Sequence, residues 1–132
     1  MLLLEAIAHE EGFYKVGSRP QRNNNPGDLV YGNESIRFGA VSSDGRFAIF
    51  PDLLTGWNAL RRWLSIPAII KNGLLEGGYL GATIEQAIYR FAPPTENRSD
   101  LYLQYVTSMT GLDSHQILTL EMLEVPNVTG TT

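Results

Sequence analysis

The first apolar positions of the chain have the spacing of a helix. Its inner face is formed by Leu3, Leu4, Ile7, Ala8 and Glu11, in which each residue has another three or four positions away. Gly12 comes next and predicts the end of the helix, while Glu5 and Glu10 fall toward solvent. The apolar face of the predicted helix therefore ends in a carboxylate.

The next pattern predicts a loop, a turn and a small β-hairpin. Residues 13–25 mix polar and aromatic side chains, as ordered loops do, and the following Asn-Pro-Gly-Asp stretch at 25–28 predicts a type II turn. Two apolar runs, at 36–41 and 46–50, are predicted strands. Asp44-Gly45 between them favours a tight hairpin.

The second half of the chain reads mainly as helices. Asp52 or Thr55 caps a predicted helix that reaches Leu64, and residues 68–75 continue as a second short helix. Thr83 and Gln86 form a capping-box pattern that opens a helix reaching 91.

Two more helices are predicted before the end of the chain. Ser99 is the expected cap of a helix over 101–109 with Gly111 as its stop, and a last amphipathic helix covers 114–123. The whole pattern predicts an α+β fold, mainly α, with a small β-hairpin and about five to seven helices. Residues 1–125 form one predicted domain, and residues 126–132 a frayed tail.

Composition and charge exclude several classes of protein. A chain of 132 residues, 43% of them hydrophobic, is long enough for one core and too short for two ordinary domains. The net charge of -4 and the scattered basic residues argue against binding nucleic acid. The sequence shows no signal peptide and no apolar run long enough to span a membrane.

Glu11 is the strongest candidate for chemistry. Two solvated acids at the end of a helix are the ordinary interpretation of Glu10-Glu11. Glu11, however, continues the apolar face, and partial burial raises the pKa of a carboxyl and suits it to act as a general acid.

The other polar groups leave alternatives open. Asn23, Asn24 and Asn25 fit a turn, yet beside Arg22 they also form a cluster of donors and acceptors able to bind saccharide hydroxyl and acetamido groups. A His-Glu-x-x-His zinc motif fails because residue 13 is phenylalanine. With one further histidine and no cysteine, we expect neither a metal site nor a cofactor.

The aromatic residues divide between the core and a cleft. Trp57 lies on the apolar face of its helix and is assigned to the core. Tyr14, Tyr31 and Tyr102 stand beside polar loops or helix starts, and we expect them in the wall of a cleft.

Several short motifs resemble one group of lysozyme-like domains, found in bacteriophage and bacterial proteins related to lytic transglycosylases. These motifs are Glu-Glu-Gly at 10–12, Arg-Asn-Asn-Asn-Pro-Gly-Asp-Leu at 22–29, Phe-Ala-Ile-Phe at 47–50 followed by Gly-Trp at 56–57, and Phe-Ala-Pro-Pro-Thr-Glu-Asn at 91–97 followed by Tyr102. The resemblance covers roughly residues 5–112. Two positions depart from the group: Asp28, where it usually has Asn, and Phe91, where Tyr is common.

The resemblance implies a lysozyme-like fold in which one helix brings a catalytic glutamate to the edge of a cleft. Glu11 matches the position of that acid. Asn24, Asn25, Glu96 and Asn97 match blocks that line the cleft in this group. The implied activity is cleavage of the β-1,4 bond between N-acetylmuramic acid and N-acetylglucosamine in peptidoglycan.

Two forms of this activity remain open. A hydrolase needs a second carboxylate, for which Asp28, Glu34 and Glu96 are the candidates, whereas a lytic transglycosylase works with Glu11 alone. We favour the transglycosylase, because no second acid has a compelling spacing from Glu11. Its partner would be the peptidoglycan glycan strand, met by a monomer at the bacterial cell wall or in the periplasm, in a protein of phage or bacterial origin.

The alternative interpretations assign the same fold to a domain that does not cleave peptidoglycan. A catalytically silent wall-binding or virion structural module would retain the groove, and the acidic net charge speaks for it, because cell walls are themselves anionic. A protein-interaction or immunity-type domain would bind neither wall nor sugar.

Overall fold

The computed structural model describes residues 1–128 and has a mixed α+β architecture that is mainly helical. This confirms the predicted fold class. In chain order the elements are α1 (Leu3–Glu10), α2 (Arg19–Arg22), α3 (Asn33–Arg37), β1 (Ser42–Ser43), β2 (Ala48–Ile49), α4 (Leu53–Leu64), β3 (Ile69–Lys71), β4 (Leu74–Gly77), α5 (Ile84–Phe91), α6 (Ser99–Thr110) and a 3₁₀ turn (Leu120–Leu123).

Helix α1 lies at the centre of the core. Leu4 and Ile7 are almost completely buried, and the helix contacts α6, α4 and the 3₁₀ turn. Ala6 and Ala8 on the same helix are also fully buried, so α1 is covered on more than one side. A helix held this way gives a fixed platform for whatever side chain stands at its end.

Several local signals in the sequence are confirmed. Asp52 caps α4 by accepting a 2.8 Å hydrogen bond from the Thr55 amide. Thr83 and Gln86 form the predicted capping box of α5, with reciprocal bonds of 2.9 and 3.1 Å. Gly111 ends α6 at φ 76, a left-handed conformation that glycine adopts without strain.

The first predicted hairpin is only partly correct. The turn at Asp44-Gly45 is confirmed, and the Asp44 carboxyl accepts hydrogen bonds from the amides of Arg46 and Phe47. The strand predicted over 36–41 is wrong, because α3 occupies 33–37 and the short strands pair only Ser42 with Ile49 and Ser43 with Ala48.

A second hairpin replaces the helix predicted over 68–75. Strands β3 and β4 are antiparallel and joined by Asn72-Gly73, whose φ values are 53 and 77. Two consecutive positive φ values characterise the type I′ turn, which Asn-Gly strongly favours. The apolar periodicity of this segment was misleading, and the turn dipeptide was the better signal.

Four other predictions need correction. The turn over 25–28 forms, with the Asp28 amide donating to the Asn25 carbonyl at 2.9 Å, but Gly27 does not have the positive φ of the predicted type II turn. Ser99 does not cap α6, because Arg98 holds the cap position and the Ser99 hydroxyl donates to the Ala92 carbonyl. Residues 114–116 form a turn whose carbonyls at Ser114 and Gln116 accept the amides of Glu85 and Ile84, so the helix predicted over 114–123 is reduced to the 3₁₀ turn. The loop predicted over 13–25 contains α2, which Ser18 caps.

The end of the chain lies partly outside the structure. Val128 is half-buried against the core, whereas residues 129–132 of the predicted frayed tail lie outside the described residues. Within residues 1–128, no helix combines the length and the apolar content that crossing a membrane requires.

Candidate active site

Glu11 stands at the carboxyl end of α1, where its backbone is still helical and its amide donates to the Ile7 carbonyl at 2.9 Å. Gly12 follows with φ 84 and turns the chain away from the helix axis. The buried helix therefore holds Glu11 at the boundary between core and solvent, and its side chain is half-buried.

Tyr102 orients the Glu11 carboxyl. It is carried by α6, which packs against α1, and its side chain is 4% exposed. Its hydroxyl donates a 2.7 Å hydrogen bond to Glu11 Oε2. The substrate-binding role predicted for Tyr102 does not fit this burial, so the tyrosine acts by positioning the glutamate.

Burial raises the pKa of Glu11 from 4.5 to about 7. The hydrogen bond from Tyr102 acts in the opposite direction because it favours the charged form, while the negative charges of Asp28 and Glu10 raise the pKa further. A carboxyl with this pKa is present in both protonation states at neutral pH. It can therefore give up a proton and take one back during a reaction.

Glu11 opens into a cleft with a volume of about 420 Å³. The cleft is lined by two parts of the chain. The hairpin side contributes Arg19, Gly27, Asp28, Leu29, Val30, Arg46 and Phe47, and the helical side contributes Trp63, Tyr79, Arg90, Phe91, Pro93, Glu96 and Asn97. An ion pair of 3.3 Å between Arg46 and Glu96 connects the two sides.

Asp28 is the second acid of the cleft, and it is tightly held. Arg19 donates to both of its oxygens, from Nε to Oδ1 at 3.2 Å and from Nη2 to Oδ2 at 2.5 Å. The Arg19 guanidinium also lies 3.6 Å from the centroid of the Phe47 ring. The Asp28 side chain is 6% exposed and its backbone has φ 49, so the position of the carboxyl is fixed by both the pairing and the fold.

The other two candidate acids differ in position. Glu96 and Asn97 both line the cleft, as the sequence predicted, although the Glu96 side chain is 58% exposed and paired with Arg46. Glu34 pairs with Arg37 on α3 and does not line the cleft. The structure thus brings Asp28 and Glu96, but not Glu34, to the same cleft as Glu11.

The side chains of Asn24 and Asn25 bond to the protein backbone and do not line this cleft. Asn25 is fully buried; its amide group donates to the carbonyls of Leu29 and Ala48 and accepts from the Leu29 amide, each at 2.9 Å. Asn24 donates to the Phe50 carbonyl at 3.2 Å. The predicted substrate-binding role does not fit this placement, because these amides connect the turn to the β-hairpin.

Two predicted aromatic positions also lie outside this cleft. Tyr31 is 42% exposed and is not part of the lining. Tyr14 packs against His9, with ring centroids 4.0 Å apart, on another part of the surface.

The arginines of the cleft were not predicted, and the sequence left Trp63 open between the core and a sugar-stacking platform. Trp63 is half-buried, and its indole nitrogen donates to the Tyr79 hydroxyl at 3.2 Å. Its position off the apolar face of α4 was a usable signal, because a large aromatic residue there must cover some other surface. Nothing in the local sequence marks Arg19, Arg46 or Arg90 as neighbours.

The charge of the cleft differs from that of the whole chain. Its lining holds three arginines and three acids, namely Arg19, Arg46, Arg90, Glu11, Asp28 and Glu96. The cleft is therefore neutral when Glu11 is ionised and carries one net positive charge when Glu11 is protonated. The chain as a whole has a net charge of -4.

No group of histidine and acidic side chains within residues 1–128 is arranged to hold a metal ion. In comparisons with known proteins, no family model matches the chain, and no curated protein matches it significantly.

Proposed function

We propose that this chain cleaves the β-1,4 bond between N-acetylmuramic acid and N-acetylglucosamine in peptidoglycan, with Glu11 as the general acid. The observation that carries the proposal is the Glu11 carboxyl, half-buried at the end of α1, bonded to Tyr102 and open to a cleft. Its pKa of about 7 suits protonation of a leaving oxygen at neutral pH. The resemblance of the sequence motifs to lysozyme-like domains supports the same reaction.

In the proposed reaction, the Glu11 carboxyl donates its proton to the glycosidic oxygen as the bond to the anomeric carbon breaks. The positive charge that develops on the sugar is then relieved as the acetamido oxygen of the same sugar unit bonds to the anomeric carbon. The Glu11 carboxylate next removes the proton of that sugar's 6-hydroxyl, whose oxygen bonds to the anomeric carbon and displaces the acetamido oxygen, which restores the acetamido group. The product is a 1,6-anhydro sugar, and Glu11 regains its proton.

The state of Asp28 favours this route over hydrolysis. A hydrolase uses its second carboxylate as a nucleophile or as the base that activates water. Both Asp28 oxygens accept hydrogen bonds from Arg19, so the carboxylate would have to give up these bonds to attack a sugar or to activate a water. We therefore infer a lytic transglycosylase that acts at the cell wall or in the periplasm.

The test is digestion of purified peptidoglycan by the wild type and by Glu11→Gln, with mass spectrometry of the products. We expect anhydro products from the wild type and a loss of rate of roughly a hundredfold or more in the variant. Glu124→Gln removes an exposed carboxyl outside the cleft and should cleave normally.

Each other outcome changes the proposal in a defined way. Equal rates for the wild type and Glu11→Gln would remove Glu11 as the acid. Reducing-end products in place of anhydro products would indicate hydrolysis and return Asp28 to the mechanism. Binding to insoluble peptidoglycan without any cleavage would identify a silent wall-binding module.

A further inference from the structure

The three arginines of the cleft differ in their partners. Arg19 is paired with Asp28 and Arg46 with Glu96, both within the cleft itself. Arg90 lines the same cleft, and the ion pairs of residues 1–128 include none to it. Arg90 is therefore the cation of the cleft whose charge is available to a ligand.

The position of Arg90 suits ligand binding. It belongs to the last turn of α5, and its guanidinium carbon lies 5.5 Å from the centroid of the Tyr79 ring, over the ring face. Apart from this contact, the Arg90 guanidinium has no ion pair or hydrogen bond within residues 1–128, so its N–H groups are free to donate to a ligand. Tyr79 is in turn bonded to Trp63, so the surface beneath Arg90 is well supported.

The charge of the cleft at the moment of reaction favours an anion. When Glu11 carries the proton that it must donate, the lining has one net positive charge, and Arg90 is the unpaired cation. Guanidinium groups bind carboxylates through two parallel hydrogen bonds, which gives both attraction and a defined orientation. A neutral sugar offers no such group.

We propose that Arg90 binds a carboxylate of the glycan substrate, so that the cleft selects strands with free carboxylates over neutral strands of the same backbone. This inference rests on the proposed function and names the substrate group that the site recognises. Two sources present this chemistry. One is the lactyl carboxylate of N-acetylmuramic acid after removal of the peptide, and the other is a carboxylate of the peptide stem in the intact wall.

The experiment compares three substrates: intact peptidoglycan, strands whose peptides have been removed to expose the lactyl carboxylates, and the same strands with those carboxylates converted to neutral methylamides. Each is digested by the wild type, Arg90→Gln, Arg90→Lys and Arg62→Gln. Arg62 is the matched control, an exposed arginine 4.6 Å from the centroid of the Phe38 ring and outside the cleft lining.

We expect the wild type to prefer the lactyl carboxylate strands to the methylamide strands by roughly tenfold in kcat/KM. Arg90→Gln should lose this preference, because its rate on the lactyl carboxylate strands should fall to its own rate on the methylamide strands. Arg90→Lys should retain part of it, since lysine supplies the charge without the paired donors. Arg62→Gln should behave as the wild type.

The substrates separate the two sources. An Arg90 dependence confined to intact peptidoglycan would assign the carboxylate to the peptide stem, and a dependence on the stripped strands would assign it to the lactyl group. The inference would be overturned if Arg90→Gln cleaved both intact peptidoglycan and the lactyl carboxylate strands as fast as the wild type.

A failure of the proposed function is distinguishable from a failure of this inference. If the wild type cleaves no substrate, the proposed function is wrong, and the binding of soluble charged and methylamide fragments is then measured by calorimetry. Tighter binding of the charged fragment that is lost in Arg90→Gln would still support carboxylate recognition. Equal binding of the charged fragment by the wild type and by Arg90→Gln would overturn the inference.

Discussion

The end of α1 and the asparagine turn are two polar regions only about a dozen residues apart, and they use their polar groups in opposite ways. Asn25 makes three hydrogen bonds, all to the backbone, and has no exposed surface. Glu11 has one side-chain partner, Tyr102, and stands at an open cleft. A polar group whose hydrogen bonds are all made within the protein stabilises the fold. A polar group with only part of its hydrogen bonds made remains able to react with a ligand.

The largest expected change in stability comes from Asn25→Ala. The substitution removes three buried hydrogen bonds and leaves backbone groups of Leu29 and Ala48 without partners, which should lower the free energy of unfolding by about 3 to 4 kcal/mol. Urea unfolding measures this, with Asn58→Ala, an exposed position on α4, as the control. Lost activity with unchanged stability would instead place Asn25 in substrate binding and contradict its assignment as a structural residue.

The contribution of Glu11 to the free energy of unfolding should fall as the pH rises. Its folded pKa of about 7 lies above the ordinary 4.5, so the protonated carboxyl stabilises the folded state below pH 4.5, and this contribution is lost as the pH rises through 7. The difference between these two pKa values corresponds to roughly 3 kcal/mol in the free energy of unfolding. Glu11→Gln should therefore gain stability relative to the wild type between pH 4 and pH 8.

Urea unfolding of both proteins at pH 4, 6 and 8 checks this prediction. Glu124→Gln, which removes an exposed acid, should follow the wild type across the same range. A constant difference between the wild type and Glu11→Gln would show that the Glu11 carboxyl is as well solvated in the folded protein as in the unfolded chain.

Tyr102→Phe should move the pKa of Glu11 upward by about one pH unit. The tyrosine hydroxyl bonds the carboxylate and lowers its pKa, so its removal leaves the burial effect unopposed. The alkaline limb of the rate profile should shift with it. An NMR titration of the labelled Glu11 carboxyl measures the same change without relying on activity.

Tyr105→Phe is the control for this prediction, because it removes a hydroxyl from the same helix three residues further along. An unchanged Glu11 titration in Tyr102→Phe would show that the tyrosine serves packing alone. A shift in both variants would point to a movement of α6 in place of a lost hydrogen bond.

The smallest expected effect is that of Asn24→Gly. Asn24 has φ 51 and one bond of 3.2 Å to the Phe50 carbonyl, and glycine tolerates that φ, so the loss should stay below about 1 kcal/mol. Asn24→Ala should cost about 1 kcal/mol more, because its Cβ disfavours the left-handed backbone. Thermal unfolding of the pair measures the difference, and equal midpoints would show that the backbone at Asn24 relaxes.

Several elements were predictable because their signals are local. Helix α1, the caps at Asp52 and Thr83, and the stop at Gly111 each follow from residues within one or two turns. The failures at 36–41, 68–75 and 114–123 have a different cause. Short apolar runs fit a helix or a strand equally well. The conformation of a segment such as 114–118 depends on a distant element, because its carbonyls accept hydrogen bonds from the first amides of α5.

Glu11 could be identified as the candidate acid from local sequence, because the helical phase of α1 carries that position toward the core and Gly12 ends the helix there. Only the tertiary structure decided what surrounds it. Tyr102, Asp28 and Arg90 reach the site from separate parts of the chain, and no local spacing records which of them will meet. Packing selects those neighbours, and with them the pKa of the acid and the charge of the cleft.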